Sequence, residues 1–406
     1  MTRILTISDR IDIPTGMGGQ HRLMADAIHE AGVGETIALN LFGKEPLETQ
    51  PSGLQTLGCG RDGLRDLQAK WGEIERMLRP DVVVAWGDMY MFSTLVADRG
   101  ANGKVEAWRK QGGFHWLHWY PVDTASFEYD YQGMMQVIDH IVPTTLFGLN
   151  VLRPHLPAKR FSVIPCGVDH RTFVPASPTR KRRLRREWST AFDRPMDLRD
   201  RRVLVYVDTN QWRKNPYVVV RCLRNLPDDV VLIMHCSPLA RGGSNGWDLP
   251  AVAKRYGVYD RILWTGDVDR AWRPELTRER LAELYQLADL RISASQSEGF
   301  GLPSVEAGAC GVPTVITDCT TNREVLAGEA RCLARVGHWG VQPEGNLDRA
   351  HVDESDFTDK IAWLLDHEAT RQAIGLRLRA HVEANYTIPK VKVAWQKVIT
   401  ATVGAL

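Results

Sequence analysis

No stretch of this chain approaches the roughly 20 consecutive apolar residues that a membrane-spanning helix requires. Apolar runs such as 203–207 and 230–234 stop after the length of a single strand. Charge of one sign is not in excess either. In 406 residues, 51 Lys plus Arg face 49 Asp plus Glu and leave a net charge of +2. A bulk polyanionic partner such as naked nucleic acid is therefore not demanded, although a local basic face stays open. The seven cysteines include no Cys-x-x-Cys pair, which argues against a disulfide framework and structural zinc, and for reduced, buried thiols. Residues 1–9 meet charge before any signal-like apolar stretch forms, so a cytoplasmic protein without stable membrane insertion is expected.

What the chain does have is an ordinary globular composition, 44% hydrophobic and 25% charged, over a length that suggests two or three domains. Short β-branched runs alternate with amphipathic segments. Strands are expected at 3–8, 36–41, 81–86, 114–119, 141–144 and 161–165, and a helix at 20–30, where Leu23, Met24, Ala27, Ile28 and Ala31 share one face. Near-continuous apolar strands between helices point to parallel sheet buried on both sides. A polar interruption opens with Arg180-Lys181-Arg182-Arg183 and closes with Arg199-Asp200-Arg201-Arg202. The alternation then restarts, with strands expected at 203–207, 230–234, 261–264, 290–293 and 314–317. The pattern predicts two doubly wound α/β lobes, and open α/β sheets take ligands beyond the carboxyl ends of their strands.

Three loops at such ends carry chemistry. The first, Pro14-Thr15-Gly16-Met17-Gly18-Gly19-Gln20, is glycine-rich and leads into a helix, a setting that suits an anion as well as a tight turn. It is neither a Walker loop nor a G-x-G-x-x-G fingerprint. The second, Thr209-Asn210-Gln211-Trp212-Arg213-Lys214-Asn215-Pro216, sets two cations before a helix start, where they would clamp a diphosphate or remain solvated loop charge. The third is Ser297-Glu298-Gly299-Phe300-Gly301-Leu302-Pro303-Ser304-Val305-Glu306. Two glutamates at this spacing arise about once by chance in such a chain, but the two glycines between them expose backbone donors. Glu306, in the first helical turn, could accept both hydroxyls of a ribose, and Glu298 could accept sugar hydroxyls on the other side of a diphosphate.

This third segment resembles the E-x7-E signature of retaining GT-B glycosyltransferases, particularly glycosyltransferase family 4. Ile164-Pro165-Cys166-Gly167-Val168-Asp169 is similar to that family's interdomain segment, and Asn210 to Asn215 to its diphosphate loop. Leu263-Trp264-Thr265-Gly266 and Leu284-Tyr285-Gln286-Leu287-Ala288-Asp289-Leu290 follow in the family's order. The likeness is strong over 163–317 and weak in the first lobe. It implies a GT-B fold of two Rossmann-like domains facing across a cleft. Residues 1–170 would form an acceptor-side domain, 171–385 a nucleotide-sugar domain, and 386–406 a helix crossing back to the first.

The resemblance also implies roles. Glu306 would hold the ribose and Glu298 the donor sugar. Phe300 and Gly301 backbone groups, with Gly299 and Leu302 in the same loop, would meet sugar hydroxyls. Arg213 and Lys214, beside Asn210, would hold the diphosphate, and Gly18 and Gly19 would let the first lobe approach the phosphates. His118 or Asp123 would stand beside the donor sugar, with His118 placed at a strand end and Asp88 a weaker acceptor-side candidate. Thr209 stands where the family carries an Arg, and Cys166 where it carries Asn or His.

The implied reaction is sugar transfer with retention, from a nucleotide-diphosphate sugar to a polysaccharide, lipid-linked, protein or modified-base acceptor. It needs no further cofactor and no metal, because cations and helix ends stabilise the departing diphosphate. A sugar-nucleotide epimerase, a phosphorylase or a non-enzymatic sugar-nucleotide-binding protein would keep the same fold. The basic stretch 180–202 leaves open a DNA acceptor, against a solvated helix balanced by Glu187, Asp193, Asp197 and Asp200.

Overall fold

The apolar runs assemble into two parallel sheets. The computed structural model describes residues 1–13, 15–43, 46–99, 105–108, 110, 112–240, 246–266, 275–342 and 347–406. One unit comprises Met1–Val122, Ser126–Gly167 and Ile388–Leu406, and the other Asp123–Ala125 and Val168–Thr387.

In the first unit the strands lie in the order Arg160–Phe161, His140–Pro143, His115–Tyr120, Val82–Trp86, Arg3–Asp9, Glu35–Leu41, Gln55–Gly58 and Glu48–Thr49. All neighbours are parallel except the last pair. Val82–Trp86 and most of Arg3–Asp9 are buried because helices cover both faces, which is why their sequences read as unbroken apolar runs. The expected strand 161–165 shrinks to Arg160–Phe161. Ser162 and Ile164 still donate single bonds to Ile141 and Pro143, and Pro165 ends the pairing because it has no N–H. The helix Leu64–Leu78, the short strand Gln55–Gly58 and the edge strand Glu48–Thr49 extend the expected set.

The closing helix, Ile388–Val403, belongs to this first unit. It buries Val391, Trp395, Ile399 and Thr402, a spacing of three and four that forms one helical stripe. Trp395 meets Trp119 edge-on at 5.3 Å, an arrangement that aromatic rings favour. Gln20 adds a two-way bond, its amide pairing with the N–H and carbonyl of Gly167 at 2.8 Å each.

In the second unit the strand order is Ile262–Trp264, Val230–His235, Arg202–Val207, Leu290–Ser293, Thr314–Thr317 and Leu333–Ala334, all parallel. The order reverses between Arg202–Val207 and Leu290–Ser293, so the crevice beyond their carboxyl ends is this sheet's topological switch point. A separate antiparallel ribbon, Val336–Gln342 with Leu347–Val352, stands outside the sheet.

All seven cysteines are buried, and none is in a disulfide. No helix among the described residues is long and apolar enough to cross a membrane.

Candidate active site

The loops leaving Val207 and Ser293 meet at that switch point. Beyond Val207 the chain makes a single helical turn, Trp212–Lys214, and Asn215 in the left-handed region (φ 48°) turns it into the helix Pro216–Cys222. Pro216 suits the first helical position, where its missing N–H costs nothing. Beyond Ser293, the loop reaches Gly301, also left-handed (φ 85°), which caps the helix Leu302–Ala309 with Pro303 in its first turn. That helix's N-terminal end, with its partial positive charge, points into the loop.

These turns bring oppositely charged side chains together. Lys214 Nζ lies 2.9 and 2.8 Å from the two oxygens of Glu298 and 3.0 Å from Asp208 Oδ1. Arg213 Nη1 is 3.9 Å from Glu298 Oε2 and donates to the Ser297 carbonyl at 2.5 Å. Its Nε is 3.4 Å from Asp123 Oδ2. Arg349, reaching in from the ribbon, donates to Ser297 Oγ at 2.7 Å and to the Asp123 carbonyl at 2.9 Å, with the Asp123 carboxylate 3.7 Å away. Burial alone would raise the Glu298 carboxyl, but Lys214 and Arg213 outweigh it and hold Glu298 well below the usual carboxylate range.

The loop itself is braced by the segment that follows the neighbouring parallel strand Thr314–Thr317. Glu298 N–H donates to Thr320 Oγ1 at 3.0 Å, and the Thr321 hydroxyl bridges the carbonyls of Glu298 and Phe300 at 3.3 Å each. Phe300 packs edge-on against Tyr386 at 5.3 Å. One turn into the helix, Glu306 accepts from the Tyr285 hydroxyl at 3.0 Å. Glu306 keeps partial surface, yet its carboxyl sits deep enough for burial to push it up to about 7 against the opposing Tyr285 bond. The crevice thus offers cations and a helix N-terminus for an anion, flanked by two carboxylates in opposite electrostatic states.

Residues 194–379 match the family described as Glycosyl transferases group 1. This segment is a group 1 glycosyl transferase domain. Among curated relatives, the D-inositol 3-phosphate glycosyltransferase of Xylanimonas cellulosilytica is 34% identical over 187 residues, 44% of this chain and 40% of that protein. The namesake from Mycolicibacterium smegmatis is 30% identical over 244 residues, 58% of this chain and 48% of its own length. The chain therefore spans less than half the length of these two relatives. Among solved structures, sucrose-phosphate synthase from Thermosynechococcus elongatus superposes with a TM-score of 0.74 at 17% identity over 100% of both chains. Anabaena HepE in complex with UDP and glucose follows at 0.65 and 14%, again over 100% of both. The fold is GT-B, with two Rossmann-like units.

Within the second unit, Arg213, Lys214, Glu298 and Asp123 come together, and Gly299, Phe300, Gly301 and Leu302 form the loop beside them. Asn210 does something different. Its Nδ2 donates to the carbonyls of Ser237 and Trp247 at 3.1 and 2.8 Å, and its Oδ1 accepts from Trp247 N–H at 3.0 Å. Its amide is spent fixing neighbouring loops. Where Val230–His235 ends, His235 Nδ1 pairs with Thr265 Oγ1 at 2.7 Å.

The first unit corrects one placement. His118 is not at a strand end. It is the fourth residue of His115–Tyr120, fully buried among Phe92, Trp116 and Tyr120, with Nε2 on the Gly87 carbonyl at 2.9 Å. Burial pulls it down to about 4, so it is a neutral core histidine. Asp88 follows Val82–Trp86 and precedes the turn Met89–Leu95, half-buried. Gly18 and Gly19 open the helix Gly16–Glu30, where the Thr15 side chain caps Gly18 N–H at 3.0 Å.

The basic stretch is largely tied up internally. Lys181 and Arg185 converge on Asp289 at 2.7 Å each, and Arg180 donates to Gln286 at 2.9 Å. Arg183 pairs with Glu187, Arg199 with Asp197, and Arg202 with Asp229 and Asp366.

Five residues of the site escape sequence reasoning: Asp208, Arg291, Arg349, Thr320 and Thr321. Arg291 alone left a signal, a charge inside the otherwise buried strand Leu290–Ser293, which must find a partner.

Proposed function

We propose that this protein is a retaining glycosyltransferase that moves a sugar from a nucleotide diphosphate to an acceptor, in the cytoplasm and without a metal. The observation that carries the reading is the meeting of Arg213, Lys214 and Glu298 at the switch point of a glycosyl transferase domain. A sugar leaving group of this class departs as a diphosphate anion, so the largest catalytic need is stabilisation of negative charge. Arg213, Lys214 and the helix end after Gly301 supply it, which supports metal independence. Glu298 and the Gly299–Gly301 backbone face the sugar, and Glu306 takes the ribose diol. Positive charge at the loosening anomeric carbon then favours attack from the face the diphosphate leaves, the origin of retention. The buried cysteines, none of them in a disulfide, support a reducing, cytoplasmic setting.

Two parts of the expected machinery are set aside. His118 has no surface for a sugar to touch, and Asp123 takes its place as the acidic residue beside Arg213. A DNA acceptor loses much of its support because Arg180, Lys181 and Arg185 are engaged by Gln286 and Asp289, and Arg183, Arg199 and Arg202 by nearby acids.

The test is a panel of UDP-glucose, GDP-mannose and ADP-glucose, scored for thermal stabilisation and for slow hydrolysis without acceptor. One donor should stabilise the protein and release its nucleoside diphosphate. Glu306→Ala should weaken that stabilisation and Lys214→Ala should slow release. A donor converted to its epimer would mark the rival activity, and variants indistinguishable from the parent would overturn the site.

A further inference from the structure

In the structure, Lys214 has no proton to spare. An ammonium donates three hydrogen bonds, and Nζ sits at 2.9 and 2.8 Å from the Glu298 oxygens and 3.0 Å from Asp208 Oδ1. Only 8% of Lys214 and 4% of Glu298 remain exposed. A diphosphate oxygen cannot take a bond from this ammonium while both carboxylates hold it.

The two carboxylates are not equivalent. Asp208 directly follows the strand Arg202–Val207 and is backed by Arg291, whose Nη2 lies 3.6 Å from Asp208 Oδ2. Arg291 is itself 1% exposed and fixed by its bond to Ser304 Oγ at 2.9 Å. Asp208 stands at its strand's end, outside the glycine loop. Glu298 instead stands in the glycine loop proposed to face the sugar, whose hydroxyls are donors. An incoming donor therefore brings both exchange partners: a phosphate for Lys214 and hydroxyls for Glu298. A buried carboxylate stripped of its cation without such a replacement is costly, so a bare diphosphate completes only half of the exchange.

We propose that Lys214 is a latch on Glu298: the donor's diphosphate draws the ammonium away from Glu298, the freed carboxylate takes the sugar hydroxyls, and Asp208, backed by Arg291, is the positioning residue that keeps Lys214 anchored throughout. This rests on the donor-site reading above and couples recognition of the diphosphate to recognition of the sugar.

The test measures binding of inorganic pyrophosphate, UDP, GDP and ADP by titration calorimetry to the full chain. Glu298→Gln opens the latch, so it should tighten these sugar-free ligands by about tenfold, the scale of coupling between adjacent charged residues. The same variant should weaken binding of the sugar nucleotide that stabilises the parent. In a Lys214→Met background, or Lys214→Gln if the former does not fold, the gain from Glu298→Gln should vanish. Asp208→Asn should give a smaller gain than Glu298→Gln. A gain that persists without Lys214 is a general charge effect and overturns the latch, as does no gain at all. An equal or larger gain in Asp208→Asn overturns Asp208 as the anchor. If none of the sugar-free ligands binds any form, the donor-site reading falls together with the latch. Binding to the parent without the Glu298 effect removes the latch alone.

Discussion

Tyr285 donates its hydroxyl to Glu306 at 3.0 Å, the only side-chain bond to that carboxylate among the described residues. Burial outweighs this bond and raises Glu306 from 4.5 to about 7. Between those values the folded protein keeps a proton that the unfolded chain has released. Glu306 therefore favours folding at low pH, and its contribution is lost as pH rises through 7. Glu306→Gln should match the parent's melting temperature at pH 5 and exceed it at pH 8 by roughly 2–4 °C, read by calorimetry. Donor affinity of the parent should rise between pH 6 and 8 as the carboxylate forms, while the variant stays weak and flat. A parent with pH-independent affinity would contradict Glu306 as the ribose acceptor.

Buried histidines titrate with the opposite effect. His118 and His21, the latter held by Thr6 and the Asp9 carbonyl at 3.0 and 2.7 Å, are pulled from 6.5 down to about 4 by burial. Across that window the unfolded chain binds protons that the folded protein refuses. The stability they contribute is complete above 6.5 and is lost as pH falls towards 4, by about 1.4 kcal/mol per pH unit for each. Urea titrations at pH 7, 6 and 5 should show this dependence, to which the buried His140 adds in the same direction, and His118→Phe should remove His118's own share of about 1.4 kcal/mol per pH unit. Sugar-transfer rates at pH 7.5, corrected for folded fraction, should survive His118→Phe; a collapse would restore a catalytic role to this residue.

Asp289 gathers the basic helix Pro178–Trp188 onto the second sheet. Lys181 and Arg185 both reach it at 2.7 Å, and it also accepts Val203 N–H at 2.7 Å. Asp289→Asn leaves two largely buried cations without their countercharge and should cost about 3–5 kcal/mol, measured by denaturant unfolding. The same pairing predicts that the parent's affinity for duplex DNA stays at background and shows no steep dependence on salt. Tight, salt-sensitive DNA binding would show that the cations are available after all.

The strands were readable because both of their faces are buried, so 82–86, 203–207 and 230–234 carry no polar alternation to confuse them. The E-x7-E loop and the Arg213–Lys214 pair were readable as local strings between strand and helix. His118 misled because the strand expected to end at 119 runs on to Tyr120, and Phe92, Trp116 and Tyr120 close around the position and make it strand interior. Asn210 sits in a recognisable string, but its role depends on Ser237 and Trp247, 27 and 37 residues away. Arg349 was invisible for the same reason. It reaches Ser297 across 52 positions from the ribbon strand Leu347–Val352, and nothing in local spacing encodes such an approach.

Two glycines in the candidate loops answer to different physics, and substitution separates them. At Gly18 a β-carbon would stand 2.3 Å from the Arg10 carbonyl oxygen and 2.8 Å from the Ile13 side chain. Backbone cannot yield as a flexible side chain can, so Gly18→Ala has to push the 10–13 segment off the helix start. At Gly301 the nearest atom would be 3.8 Å away, an ordinary contact, and the obstacle is the positive φ of 85°. That conformation costs an alanine about 1–2 kcal/mol and blocks nothing. Gly301→Ala should therefore fold with a modestly lowered melting temperature and unchanged hydrogen exchange in the first unit. Gly18→Ala should melt lower still, with faster exchange at 10–13 and in the first turn of Gly16–Glu30. Equal losses in the two variants, with protection intact at 10–13, would mean that the close approach to Arg10 is not what requires glycine there.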